Sequence, residues 1–175
     1  FIEKARAVLD VRVLFEQQLG KPLTHRALAD VLRSRGYGVT HGIISQFEYA
    51  VERLLPVMPQ ALEAGLGRSS VERIRAFERA GGQVWARREL GAAASFDEVF
   101  QTLCRRYDDA TWSFEAFAEA LEMEIAMAAD ERLHTIRIEL DRALKNLSAS
   151  ADEPRPIPEV TERPTSRRYD SGLDS

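Results

Sequence analysis

Small side chains that can form hydrogen bonds follow one stripe of a helix that the sequence predicts over residues 41–55. The stripe has the three- and four-residue spacing of a single helical face and consists of Gly42, Ser45, Gln46, Tyr49 and Arg53. A solvated face normally carries Lys and Glu, whereas short side chains let a helix lie deep in a groove. Gln and Ser can hydrogen-bond to base edges, and Gln suits adenine. The stripe therefore predicts contact with double-stranded DNA, with His41, Ser45, Gln46 and Tyr49 at base edges.

The opposite stripe of the same helix is apolar and predicts how the helix is held. It consists of Ile44, Phe47, Val51 and Leu54. A preceding helix over residues 25–34 offers a matching inner face, and Gly36 and Gly38 break the chain between the two helices. This arrangement is typical of a helix-turn-helix motif, whose second helix presents its N-terminal half to the major groove. Two helices of an ordinary α-domain would share the pattern.

The predicted recognition helix has a capped start and cations on either side of it in the sequence. Thr40 is placed to cap the helix, and the unpaired N–H groups of its first turn can hold a phosphate. Gly42 costs about 1 kcal/mol in helix propensity, which close approach to a sugar-phosphate backbone would justify. Cations supply affinity without sequence information. The predicted phosphate contacts are Lys21, Arg33, Arg35, Arg53 and Arg68.

Helical periodicity continues along nearly the whole chain, so we expect an all-α fold. Further helices are predicted over 2–19, within 56–67, over 70–80, around Val84, Trp85 and Leu90, over 96–107, and over 114–147 with a break near Ala129. Capping boxes are expected at Ser69 with Glu72 and at Ser95 with Glu98. Gly81 and Gly82 are expected to end the helix over 70–80.

Composition divides the chain into three predicted parts. Residues 1–91 carry 14 Lys and Arg against 10 Asp and Glu, and residues 92–175 carry 10 against 18, so net charges of +4 and −8 sum to −4. We expect a helix-turn-helix DNA-binding domain over 1–91, a small acidic helical association domain over 92–147, and a disordered tail over 148–175. The stripe proposed for a homodimer is Leu133, Ile136, Leu140, Ala143 and Leu147.

Several classes of function find no support in the sequence. No run of about 18 apolar residues is present, so we expect no membrane span. The single cysteine, Cys104, forms no internal disulfide and favours a cytoplasmic location. The three histidines lack metal-ligand spacing, so no metal or other cofactor is predicted. The glutamates of 113–131 are interpreted as a solvated acidic face, and no enzyme activity is expected.

A longer string resembles a known family. The segments "LTHRALADVL", "RGYGV", "IIS", "LLPVMPQAL" and "GLGRSSVERI" resemble the central DNA-binding region of ParB-family partition proteins, and more closely the ParB-like proteins of integrating conjugative elements. The resemblance covers residues 1–80 and places Thr40, His41, Gly42, Ser45, Gln46 and Tyr49 on the recognition helix. Residues 92–147 do not match the dimerisation domain of typical chromosomal ParB proteins.

The resemblance implies DNA binding in the partition or maintenance of a mobile genetic element, with an element- or nucleoid-associated location. Such proteins usually have an upstream CTP-binding domain, which is not in this sequence. The chain starts without Met, so we interpret it as a fragment of a larger protein and assign it no nucleotide chemistry. Two alternatives are a transcriptional regulator and a protein-interaction module that recruits a ParA-like ATPase.

Overall fold

The computed structural model describes residues 1–91 and 94–152 and contains helices but no strands there, which confirms the all-α fold. The helices are α1 (Ile2–Leu19), α2 (His25–Ser34), α3 (His41–Glu48), a π-helical segment (Tyr49–Leu54), α4 (Pro59–Glu63), α5 (Arg68–Arg87), α6 (Phe96–Arg106), α7 (Phe114–Ala128) and α8 (Leu133–Asp152). Within the described residues, no helix is both long enough and apolar enough to cross a membrane.

The predicted starts of α2 and α3 are confirmed in detail. The Thr24 hydroxyl accepts a hydrogen bond from the Ala27 amide at 3.2 Å, and the Thr40 hydroxyl accepts one from the Ile43 amide at 3.3 Å. Each bond satisfies one of the first amides of a helix, which have no partner inside it. The two caps therefore fix where the paired helices of the predicted motif begin.

The apolar stripe of α3 packs as the sequence predicts. Ile44 and Leu54 are fully buried, and Phe47 is nearly so. α3 contacts both α1 and α2. Past Glu48 the helix widens into the π-helical segment, where the Leu55 amide donates to the Ala50 carbonyl at 2.8 Å. One face of this region is thus fixed in the core, and its other face points towards α5, which it also contacts.

Two predictions about α5 are wrong. The helix begins at Arg68 after Gly67 and has no side-chain cap, so Ser69 and Glu72 do not form a capping box. Gly81 and Gly82 do not end it, because α5 continues through them to Arg87. At Gly81 a Cβ atom would lie only 2.8 Å from Cζ of Phe96. This glycine therefore allows an aromatic ring of α6 to pack against the helix, and the predicted separate helix at Val84 and Trp85 is the last part of α5.

α5 is the long helix against which α6, α7 and α8 pack. The predicted capping box at Ser95 and Glu98 is present, and so is the predicted break after α7. Because Ile136, Leu140 and Ala143 are buried, the stripe proposed for a homodimer packs inside the chain. α8 runs to Asp152, so helix continues past the predicted start of the tail at 148, and residues 153–175 lie outside the described part. The division at residues 91–92 remains a prediction.

Candidate nucleic-acid interface

The first turn of α3 is the most accessible part of the predicted recognition helix. Thr40, His41 and Gly42 are all exposed. A Cβ atom on Gly42 would meet only the Thr40 hydroxyl, at 4.0 Å, so nothing in the protein crowds this turn. The Thr40 cap takes the amide of Ile43, and the amides before it have no partner inside the helix. The turn can therefore receive an anion such as a phosphate.

Gln46 is not free, contrary to the prediction of an unoccupied stripe. Nε of Arg68 donates to Oε1 of Gln46 at 2.9 Å, and Nε2 of Gln46 donates to Oε1 of Glu72. Nη2 of Arg68 lies 3.5 Å from the same Glu72 oxygen. The three side chains form a closed ring at the surface, with Arg68 and Glu72 about half exposed at 54% and 47%. α5 thus supplies a partner to each end of the Gln46 amide.

Ser45 is also held by α5. Nη1 of Arg75 donates to the Ser45 hydroxyl at 3.1 Å, and the Arg75 guanidinium lies 5.3 Å from the centre of the Tyr49 ring. The structure puts this cation beside the predicted base-reading residues because α5 runs alongside α3.

Tyr49 and Arg53 lie in a less accessible cluster around Glu78. The Tyr49 hydroxyl donates to one carboxylate oxygen of Glu78, and Arg53 donates to the other from Nε at 2.9 Å and Nη2 at 2.6 Å. Arg53 also pairs with Asp97. Burial, together with the negative Glu78, raises the pKa of Tyr49 well above its ordinary value. The predicted base contact at Tyr49 and phosphate contact at Arg53 are therefore both occupied by protein groups.

The remaining predicted cations are more exposed. Lys21 and Arg33 lie at the surface, and Arg33 pairs with Asp30 at 2.9 Å within α2. Arg35 lies over the ring of Phe15, 4.8 Å from its centre. Exposed pairs of this kind contribute little to stability and are readily exchanged for other partners. Lys21, Arg33, Arg35 and Arg68 consequently stay accessible to a polyanion.

An ionic cluster that was not predicted from the sequence lies on the other side of α3. Glu48 accepts from Nη1 of Arg12 at 2.7 Å and lies 2.9 Å from Nε2 of His25. Burial raises the pKa of Glu48, but the bonds from Arg12 and His25 outweigh it, so that this pKa lies below its usual value. Glu16 accepts from the Leu23 amide at 2.7 Å, which lowers its pKa as well. These groups fasten α3 to α1 and to the start of α2.

An open apolar groove runs between α1 and the turn that joins α2 to α3. Its volume is about 650 Å³. Leu14 and Tyr37, which line it, are 57% and 64% exposed. Lys4 and Arg35 are the charged residues of its lining. The groove is a second surface of the motif, apolar where the α3–α5 surface is polar.

Two features of the described residues bear on catalytic chemistry, the single cysteine and the arrangement of possible metal ligands. Burial raises the pKa of the Cys104 thiol to about 12, which leaves it protonated and unreactive at neutral pH. No group of three or more His, Cys, Asp or Glu residues in the described part is arranged to hold a metal ion. Several glutamates of the predicted acidic face pair with arginines, among them Glu115 with Arg73 and Glu122 with Arg137.

Comparisons with protein-family models, with curated proteins and with solved structures found no match to this chain. The resemblance to ParB-like proteins therefore remains a prediction from sequence.

Proposed function

We propose that this protein binds double-stranded DNA through the first turn of α3 and the adjoining side of α5. The observation that carries the proposal is the pairing of an exposed, capped helix start with two arginines, Arg68 and Arg75, that reach the polar stripe of the same helix. A helix N-terminus and neighbouring guanidinium groups are the features that bind phosphates beside a major groove.

The proposed roles of some residues differ from those predicted from the sequence. His41, Ser45 and Gln46 remain the base-edge candidates, with Thr40 and Gly42 letting the helix start approach the DNA. Lys21, Arg33, Arg35 and Arg68 remain the phosphate candidates, and Arg75 joins them. Tyr49 and Arg53 instead hold the helical segment after α3 against α5, because both side chains already donate hydrogen bonds to Glu78.

The resemblance to ParB-like proteins of conjugative elements supports a biological setting for this activity. Under the proposal, the DNA site belongs to the partition or maintenance system of a mobile genetic element, and a homodimer reads two half-sites. A transcriptional regulator would use the same surface at a promoter. The position of the site relative to genes therefore distinguishes these two forms of the proposal.

The test is fluorescence anisotropy on two labelled duplexes at several salt concentrations. One duplex is taken from the DNA around the protein's own gene, and the other is a shuffled control of the same composition. We expect tighter binding to the native duplex and a steep loss of affinity with salt, because lysine and arginine displace counterions from phosphates. Absence of binding to both duplexes at low salt would overturn the proposal.

A protein-interaction module is the second candidate, and the apolar groove beside α1 favours it. An exposed apolar surface of this kind marks a place where another chain can dock. A ParA-like ATPase is the partner that the sequence resemblance suggests. Substituting Leu14→Asp in the groove should abolish partner binding in a pull-down with that ATPase and leave anisotropy on DNA unchanged. Loss of DNA binding in this variant, with the fold intact, would argue against two separate surfaces.

A further inference from the structure

The closed ring of Gln46, Arg68 and Glu72 has a direct consequence for DNA reading. Gln recognises adenine with both ends of its amide, its N–H group donating to N7 and its oxygen accepting from N6. Here the oxygen of Gln46 accepts from Arg68 and its nitrogen donates to Glu72. Both ends therefore already have a partner in α5, and the bidentate pairing with a base competes with these two bonds.

Glu72 is the member of the ring that DNA would displace. A carboxylate and a phosphate present the same kind of group to a guanidinium, namely negative oxygen atoms that accept hydrogen bonds. The Glu72 carboxylate lies between an arginine and the amide of a base-reading residue, which is where a DNA phosphate would approach. Its own negative charge would also repel that phosphate.

We propose that Glu72 is an internal stand-in for a DNA phosphate and holds the recognition surface closed until a duplex replaces it. This inference rests on the proposed DNA-binding function. When a phosphate takes Arg68, Glu72 loses its cation and turns away, and the amide of Gln46 becomes available to a base. Binding to the backbone and reading of the sequence are thereby coupled through one ring of hydrogen bonds.

The exposure of the ring fits a device that opens. Arg68 and Glu72 are about half exposed, and a solvated pair of this kind contributes little to stability. Such a bond is weak enough for a phosphate to exchange. The bonds from Tyr49 and Arg53 to Glu78 lie one turn further along the same stripe. The side chains there are less exposed, at 15% for Glu78 and 28% for Arg53. Those bonds are expected to stay closed.

The test compares two variants that remove the same charge. Glu72→Gln removes the charge that holds Arg68 in the ring, whereas Glu52→Gln alters an exposed carboxylate of the π-helical segment that has no hydrogen-bond or ion-pair partner among the described residues. We expect Glu72→Gln to bind both duplexes about two- to fivefold more tightly than wild type, which corresponds to releasing a cation from one solvated ion pair. The slope of log affinity against log salt should stay close to that of wild type, because Arg68 contacts a phosphate in both bound proteins. Glu52→Gln should change neither quantity.

A double variant separates the proposed exchange from a general charge effect. If Glu72 acts by pairing with Arg68, then adding Glu72→Gln to a protein that already carries Arg68→Ala should not raise its affinity for DNA. Thermal unfolding of each variant, followed by circular dichroism, checks that the helices remain folded.

Each outcome bears on the inference. Equal affinities for Glu72→Gln and Glu52→Gln, in a wild-type protein that binds DNA, would overturn the stand-in role and leave DNA binding intact. If wild type and both variants fail to bind either duplex at low salt, then DNA binding itself fails, and the stand-in role fails with it.

Discussion

The two halves of the polar stripe on α3 and the π-helical segment look alike in sequence and differ in the structure. In the upper half, Gln46 bonds to Arg68 at an exposed surface, and Ser45 bonds to Arg75 where the two side chains are partly buried. In the lower half, Tyr49 and Arg53 bond to Glu78 in a cluster that is largely withdrawn from solvent. The difference teaches that α5 both supports the predicted recognition helix and covers part of it. We expect only the contacts of the upper half to exchange for DNA.

The largest effect expected from this comparison is on Glu78. Glu78→Ala leaves the Tyr49 hydroxyl and the Arg53 guanidinium without their shared acceptor in a partly buried place. We expect a loss of about 2–3 kcal/mol in the free energy of unfolding, somewhat below the value for a fully buried pair. Urea denaturation followed by circular dichroism measures it. The matched variant Glu72→Ala should lose less than about 0.5 kcal/mol, because its pair is solvated. Equal losses in both variants would remove the distinction between the two halves.

The next effect concerns recognition of the DNA base sequence by Gln46. Gln46→Ala should weaken binding to the native duplex by about 1–2 kcal/mol and binding to the shuffled duplex by much less, because a bidentate base contact disappears. The expected loss lies at the lower part of the usual range because Gln46 must first give up its bonds to Arg68 and Glu72. Anisotropy titrations on both duplexes measure the difference. An equal loss on both would exclude Gln46 from base readout.

How far the sequence predicts this molecule depends on whether a feature is local. The caps at Thr24 and Thr40 and the apolar stripe through Ile44 and Phe47 follow from spacing of three or four residues, and the structure confirms them. The predicted end of a helix at Gly81 is wrong, because the helix continues to Arg87 and this glycine makes room for the ring of Phe96, which is distant in sequence.

The candidate site shows the same limit. Helical spacing correctly placed Ser45, Gln46 and Tyr49 on one face, but it could not show that α5 lies against that face. Glu72 and Glu78 are 26 and 29 residues away from the partners they bind. Nothing in a local pattern reveals such a pairing, and so a stripe that looked free in sequence is bonded in the structure.

A smaller effect tests the lower half alone. Tyr49→Phe removes the hydroxyl that donates to Glu78 and keeps the ring that packs beside Arg75. We expect a loss of about 1 kcal/mol in the free energy of unfolding, which is the usual value of one hydrogen bond, and no change in affinity for either duplex. Urea denaturation and anisotropy on the same preparation measure the two quantities. A fall in DNA affinity with unchanged stability would return Tyr49 to the base-reading set.

The smallest effect lies on the far side of α3 and depends on pH. The pKa values of Glu48 and Glu16 are lowered in the folded protein below the ordinary value of 4.5, so that their contribution to stability is fully present above that value. It is lost as pH falls through the folded values, because the unfolded chain then binds more protons than the folded one. We therefore expect the free energy of unfolding to drop from about pH 5 downwards. In Glu48→Gln the drop should be shallower.

Glu52→Gln is the matched control for this pH dependence, since that exposed carboxylate has no hydrogen-bond or ion-pair partner in the described part of the chain. Its pH profile should follow wild type. Urea denaturation at a series of pH values between 3 and 7 would compare the three proteins. If Glu48→Gln and wild type lose stability in parallel, then the cluster of Arg12, His25 and Glu48 does not fasten α3 to α1. In that case the bonds to Glu78 would be the main polar support of the recognition helix, and the contrast between the two halves of the stripe would become sharper.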